Sequence, residues 1–268
     1  MTIARSVRIM GIINVTPDSF SDGGSFFDAK SAFDQARSLI NQGADIIDVG
    51  GESTRPYAEQ VSLDDELRRV IPVIESIRSI SDIPVSIDTS KAEVARQALA
   101  AGANIINDVT ALRKDPAMIE LIKNNSAELI IMHMQGDPGT MQDAPHYDDV
   151  VEEVFSFFSE RLDRIAAAGI DLNRVTIDPG IGFGKKLKHN LQLLNHLERL
   201  SELGRPVLLG HSRKRFLGDL TGLEADQRDG ITSVVSALSL EKNVSIFRVH
   251  DVEATRQAVE VARAIRLA

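Results

Sequence analysis

Short apolar runs punctuate the chain, each bounded by polar residues, glycine or proline. They fall at Arg8–Asn14, Asp45–Val49, Pro84–Asp88, Asn104–Asp108, Glu128–His133, Arg174–Asp178, Pro206–Gly210 and Ser245–Val249. Several are apolar at consecutive positions, as in Ile46-Ile47 or Ile105-Ile106. That is the pattern of strands buried on both faces, whereas half-exposed strands alternate.

Between the runs the period changes to that of a helix. Asp28–Gln42 places Ala29, Ala32, Phe33, Ala36, Leu39 and Ile40 on one face. Similar patterns cover Asp64–Ile80, Asp148–Ala168, Leu187–Leu203, Asp226–Glu241 and Asp251–Leu267. Ser90 followed by Glu93 has the form of a capping box, and Asp115-Pro116 that of a cap and a first-turn proline. Gly43, Gly102 and Gly169 each follow a helical run, where a left-handed cap favours glycine. Eight strands alternating with helices predict an α/β fold, a (β/α)8 TIM barrel forming a single domain over 1–268. An open doubly wound sheet shares the alternation, but eight units without a linker or composition break favour closure.

Composition narrows the class. The chain has 268 residues, 43% hydrophobic and 26% charged, which excludes a disordered polymer. Without cysteine there is no disulfide, thiolate nucleophile or Cys-ligated zinc. A net charge of −9 argues against a general nucleic-acid or membrane-surface binder. With no apolar run of membrane-spanning length and no signal-peptide pattern, a cytoplasmic location is expected.

In such a barrel, function gathers at the carboxyl ends of the strands. Those ends carry Asn14, Asp48, Glu52, Arg55, Asp88, Asn107, Asp108, His133, Asp178, Ser212, Arg213, Lys214, Arg248 and His250. Early and middle strands end in Asp and Asn; the last two end in Arg, Lys and His. This separation suits a ligand with a flat, donor-rich ring at one end and phosphate at the other. Two long loops, Thr16–Phe27 and Ser53–Leu63, read as lids or binding loops over that face. The glycines after Asp178 match neither a Walker loop nor a dinucleotide fingerprint, and read as a close-approach turn. Asn14-Val15-Thr16 stands where metal-dependent barrel hydrolases carry His-x-His, which argues against a catalytic zinc site built from His133, His211 and His250. His146, His189 and His196 read as solvated.

Taken together, NVTPDSFSDGG from Asn14, GADIIDVGGESTRP from Gly43, SIDT from Ser86, INDV from Ile106, MHM from Met132, IDPGIGFGK from Ile177, SRKRF from Ser212 and RVHDV from Arg248 resemble the dihydropteroate synthases. The resemblance runs in family order from about residue 9 to 255. His211, where a small or apolar residue is expected, and Tyr57 depart from it.

The resemblance implies joining of 6-hydroxymethyl-7,8-dihydropterin pyrophosphate to 4-aminobenzoate. Asp88, Asn107, Asp178 and Lys214 are then expected to hold the pterin, and Asn14, Arg55, Arg248 and His250 the pyrophosphate. Thr54, Pro56, Phe183, Lys214 and Arg215 would form the aminobenzoate pocket. Asp88, Lys214, Arg248 and His250 would carry the catalysis, and Asn14 would contribute to a Mg2+ site. A homodimer through the later helices is also implied. The alternative is a pterin-binding module of a corrinoid methyltransferase system, which would need neither the pyrophosphate nor the aminobenzoate residues.

Overall fold

A computed structural model describes residues 7–15, 25–53, 59–137 and 139–268. Eight strands close into a parallel barrel in sequence order: β1 (Arg8–Asn14), β2 (Ile46–Gly50), β3 (Val85–Asp88), β4 (Ile105–Asp108), β5 (Glu128–Met132), β6 (Val175–Asp178), β7 (Val207–Leu209) and β8 (Val244–Val249). The seam closes where β8 pairs with β1, Met10 opposite Arg248 and Gly11 opposite Val249. All eight predicted strands are present, with no end moved by more than one residue.

Side-chain alternation sorts each strand into an outward and an inward face. Outward residues such as Ile9, Ile47, Val49, Ile87, Ile106, Ile131, Ile177 and Phe247 pack into the layer under the helices. Inward residues Met10, Ile46, Ile105, Ile130, Leu208 and Ile246 form a separate cluster that fills the lower barrel. Two residues further along, on the same inward face, stand Ile12, Asp48, Asn107, Met132, Gly210 and Arg248. The barrel interior is thus apolar below and gains Asp48, Asn107 and Arg248 one pleat above, while Ile12 and Met132 keep part of that layer apolar.

The surrounding helices are α1 (Ser25–Asn41), α2 (Leu63–Arg78), α3 (Ala92–Ala100), α4 (Ala117–Lys123), α5 (Val150–Ala167), α6 (Leu187–Asn195), α7 (Leu197–Ser201), α8 (Arg215–Thr221), α9 (Asp229–Ser239) and α10 (Val252–Leu267). Caps begin many of them. Ser62 accepts from Asp65 N at the start of α2, Asp149 from Val151 N and Glu152 N at α5, and Asp251 from Ala254 N at α10. Gly43, Gly102 and Gly169 take φ of +90°, +109° and +85°, as their place after helices predicts.

Four expectations need correction. Ser90 and Glu93 form no capping box: Lys91 is the cap residue of α3, and Glu93 bonds Arg96 and Gln97 instead. The first turn of α3 is capped from outside by Asp115, whose Oδ2 accepts from Ala92 N at 2.8 Å while Oδ1 accepts from Ala117 N at 3.0 Å. One carboxylate thereby starts both α3 and α4. The run Leu187–Leu203 breaks at His196 into α6 and α7, and Asp226–Glu241 becomes α9 flanked by short 3-10 turns. The first long loop is shorter than read, because α1 already begins at Ser25. Among the described residues, no helix is long and apolar enough to cross a membrane.

Candidate active site

The sheet register sets Asn14, Gly50, Asp88 and Asn107 side by side across β1 to β4. Gly50 has no side chain, so a gap is left between Asn14 and Asp88. Below lies Asp48, fully buried. From across the seam Arg248 reaches it, Nε donating to Asp48 Oδ2 at 2.7 Å and Nη2 to Asp88 Oδ2 at 2.8 Å. This corrects the expected separation of charge. The last strand's guanidinium crosses to the acidic side and bridges two carboxylates, because closure makes β8 and β2 near neighbours around β1.

Burial pushes the Asp88 carboxyl up to about 7, with Arg248 opposing and Asp48, Glu66 and Asp108 adding to the rise. Asp48 Oδ1 and the hydroxyl of Ser86, register partners on β2 and β3, are buried without a partner among the described residues. The floor therefore has hydrogen-bonding capacity to spare.

On the far side Asp178 ends β6 opposite Met132. Its Oδ1 accepts from Gly180 N at 2.8 Å, and burial raises it to about 6 against the pull of that bond, Lys214 and Arg248. Gly210 leaves room beside it, since a Cβ there would stand 3.2 Å from Asp178 Oδ2, a tight contact. Val109, Met132, Met134, Met141 and Phe183 form a buried apolar cluster near these strand ends. Lys214 Nζ lies 3.9 Å from the centre of the Phe183 ring, a cation–π contact. A flat ligand here meets polar acceptors at its edge and apolar side chains on its face.

The glycines after Asp178 do make a close approach, but to the neighbouring loop's backbone. A Cβ at Gly180 would come within 1.9 Å of His133 O, and one at Gly184 within 2.7 Å of Gln135 O. The loop is bonded along its length. Gln142 donates to Gly182 O, Tyr147 to Gly184 O, and Asn190 accepts from Gly182 N. Lys185, 3% exposed, turns inward beneath it.

After β7, His211 is buried, its Nε2 2.9 Å from Thr232 O and 3.0 Å from Ser236 Oγ, which ties the loop to α9. Arg213 takes φ of +56°, held there by a two-pronged pair with Asp229 at 2.7 and 2.6 Å. This brace presents Lys214 as the residue before α8. Ser212 Oγ accepts from His250 N at 3.2 Å and meets His250 Nδ1 at 2.9 Å. With Nδ1 engaged by Ser212, Nε2 is the ring nitrogen left for another partner. Burial, with Arg213 and Arg248 nearby, lowers His250 to about 3, so the ring is neutral.

The inward faces and strand-end loops thus gather Asp88, Asn107, Asp178, Lys214, Phe183 and Arg248 around one barrel mouth. Asn14 is half-buried at its edge, and His250 follows β8. Arg215, next to Lys214, has a side chain 89% exposed and 3.5 Å from Asp219. Thr54, Arg55 and Pro56 lie outside the described residues. Asp108, adjacent to Asn107, faces the other way and accepts from Thr110 N, Thr110 Oγ1 and Leu112 N, holding Ala111 and Leu112 at positive φ. His189, read as solvated, is 2% exposed and its Nδ1 accepts from Lys186 N at the head of α6. Sequence reasoning left Asp48, Ser212 and Lys185 without roles. Alternation from Ile46 would have put Asp48 inside; Lys185 gave no such signal.

Residues 10–250 match the family described as pterin binding enzyme. A dihydropteroate synthase of Synechocystis sp. is 44% identical over 259 residues, 96% of this chain and 89% of that protein. The solved Xanthomonas albilineans dihydropteroate synthase with 4-aminobenzoic acid is 49% identical with a TM-score of 0.92, covering 98% of this chain and 94% of that one. Its complex with 7,8-dihydropteroate gives 46% identity and a TM-score of 0.90, over 100% of this chain and 96% of that one. Barrel, polar mouth and these likenesses agree along the chain's whole length: it belongs to the pterin-binding enzymes and, among them, to the dihydropteroate synthases.

Proposed function

We propose that the chain acts as one pterin-binding barrel domain over 1–268, condensing 6-hydroxymethyl-7,8-dihydropterin pyrophosphate with 4-aminobenzoate to 7,8-dihydropteroate and pyrophosphate. The observation that carries this reading is the inward polar layer at the mouth, where Asp88, Asn107 and Asp178 converge beside Arg248 and the Lys214–Phe183 pair. Buried acceptors with no full complement of donors suit the N–H edge of a pterin. The relatives solved with 4-aminobenzoic acid and 7,8-dihydropteroate support the same substrates.

In this reading Asp88, Asn107, Asp178 and Lys214 hold the pterin. Asn14, Arg55, Arg248 and His250 face the pyrophosphate, His250 through Nε2, the nitrogen that Ser212 does not engage. Thr54, Pro56, Phe183, Lys214 and Arg215 form the aminobenzoate pocket. The C–O bond to the diphosphate breaks first and its electron pair leaves with pyrophosphate. The amine nitrogen then attacks the cationic pterin methylene and loses a proton. Asp88 and Asp178, in a buried setting, stabilise that cation, while Arg248, Lys214 and His250 stabilise the departing charge. No nucleophilic side chain is required.

Among the described residues, no group of three or more His, Asp or Glu is placed to hold a metal. The Asn14 amide oxygen is a hard donor of the kind Mg2+ takes, and would hold such an ion at the edge of the mouth. Bound there, Mg2+ would neutralise charge on the leaving group.

The test is pyrophosphate release with and without 4-aminobenzoate. Release that depends on it, with dihydropteroate formed in equal amount, is expected. Pterin binding without such release would favour the corrinoid-linked module instead. Lys214→Ala should lose most turnover while its circular dichroism stays native; near-wild-type turnover would remove Lys214 from the site.

A further inference from the structure

Lys185 has no part in the roles above, yet it is one of the most enclosed charged groups in the protein, 3% exposed. Its ammonium lies 2.9 Å from Gly180 O, 3.0 Å from Phe183 O, 3.4 Å from His133 O and 2.9 Å from His133 Nδ1. Three of these acceptors are backbone carbonyls, two on the loop after β6 and one at the end of β5. A buried ammonium needs such partners, and a loop needs its carbonyls satisfied, so each requirement is met by the other. Burial lowers the amine to about 7, Asp178 working against the fall. His133 falls well below its ordinary range through burial and the neighbouring cations, which leaves Nδ1 as an acceptor for Lys185.

The segment it braces would otherwise have many conformations. Gly180, Gly182 and Gly184 sit at φ of +67°, +83° and +59°, and glycine at alternate positions leaves a chain little intrinsic preference. Phe183 projects from the middle of this stretch. Besides Lys185, Asp178 accepts from Gly180 N, Asn190 accepts from Gly182 N, and Gln142 and Tyr147 donate to Gly182 O and Gly184 O, while the Phe183 N–H donates to Gly180 O. Among the described residues, Lys185 is therefore the side chain that bonds the Phe183 backbone, through its carbonyl, and it does so while gripping the adjacent loop.

We propose that Lys185 is a positioning residue for the second substrate: it locks the loops after β5 and β6 together and thereby places Phe183 as a wall against 4-aminobenzoate. The proposal rests on the reading that Phe183 and Lys214 line the aminobenzoate pocket. Asp178 is carried by strand β6, and Lys185 reaches it only through charge and through Gly180, whereas Lys185 bonds Phe183 directly. The effect of losing Lys185 is accordingly selective between substrates.

Initial-rate kinetics on Lys185→Met, Lys185→Gln and Phe183→Ala test this, each variant first checked for a native circular dichroism spectrum. Met keeps the length but removes every donor; Gln keeps two donors and is the milder change should Met fail to fold. Expected is a rise in KM for 4-aminobenzoate of about tenfold in Lys185→Met, and less in Lys185→Gln, with KM for the pterin pyrophosphate within about twofold of wild type. A role in stability alone would reduce active protein, lowering kcat without this split. An unchanged aminobenzoate KM in the folded variant, or an equal rise for both substrates, overturns the proposal. If Phe183→Ala itself leaves the aminobenzoate KM unchanged, the underlying pocket assignment fails instead. If Phe183→Ala moves it and neither Lys185 variant does, only the positioning role falls.

Discussion

At pH 8 the barrel must hold Asp178 ionised in a buried mouth, although its carboxyl is raised from 3.8 to about 6. Between those values the unfolded chain has released the proton and the folded chain retains it. Stability therefore falls as pH rises from about 4 to about 6 and stays reduced above, by about 3 kcal/mol for a shift of this size. Asp178→Asn removes the penalty and keeps an oxygen for the Gly180 N–H. It is expected to resist urea better than wild type at pH 8, with the advantage gone below pH 4, while pterin affinity drops about 100-fold through loss of charged hydrogen bonds. Urea midpoints at the two pH values, with calorimetric titration of pterin, decide it. Equal midpoints at pH 8 would show that the carboxylate carries no such cost. Arg248 poses the opposite case. Removing it as Arg248→Ala strands buried Asp48 and Asp88 without their cation, and should destabilise by about 3–5 kcal/mol in urea unfolding. Its loss of activity thus reflects the fold as well as the diphosphate.

Among the glycines, two positions with the same local geometry should behave differently because of the elements around them. Gly180 and Gly169 have φ of +67° and +85°, so alanine at either carries a left-handed cost of about 1–2 kcal/mol. A Cβ at Gly169 meets nothing within 4 Å, whereas one at Gly180 runs into His133 O. Gly169→Ala is expected to lower the melting temperature slightly and leave kcat/KM intact. Gly180→Ala should force the loops after β5 and β6 apart and reduce kcat/KM about 100-fold through misplaced groups. Paired thermal melts and kinetics separate local strain from displacement; indistinguishable variants would refute the close-approach role. Legibility in the sequence followed the same division. The strands were readable because burial on both faces leaves uninterrupted apolar runs such as Ile46-Ile47 and Ile105-Ile106. Asp88, Asn107 and Asp178 were readable as polar residues ending such runs. What joins separate segments was not: Asp115 capping α3 from outside, His189 turned inward against Tyr147, Arg248 crossing the seam to Asp48, and Lys185 reaching His133. Each depends on a partner far away in the chain, and no local pattern records it. The helix break at His196 was invisible for a related reason, since Leu187–Leu203 keeps its apolar period straight through it.

Across the whole molecule, α9 serves two surfaces. Inwardly Asp229, Thr232 and Ser236 hold Arg213 and His211, and through them the loop that presents Lys214. Outwardly Val234 and Leu238 are 55% and 71% exposed, one turn apart, and on neighbouring α10 Val261 and Ile265 are 60% and 73% exposed at the same spacing. Scattered apolar residues on a surface mean little, but two paired rows on adjacent helices make a continuous patch of the kind that a second protein covers. A second copy of this chain, meeting it across a two-fold axis, would bury both patches at once. We propose a homodimer through α9 and α10, so the double variant Leu238→Glu/Ile265→Glu should sediment as a monomer. On an isolated barrel, replacing exposed leucine and isoleucine by glutamate would cost almost nothing, so stability discriminates as well as size. A dimer makes the wild-type melting temperature rise with protein concentration, and the variant should lose both that dependence and several degrees of stability. Because α9 also braces the Lys214 loop, the monomer should keep its circular dichroism yet turn over more slowly. A wild type that sediments as a monomer at micromolar concentration, with a melting temperature independent of concentration, would leave the patch without this partner.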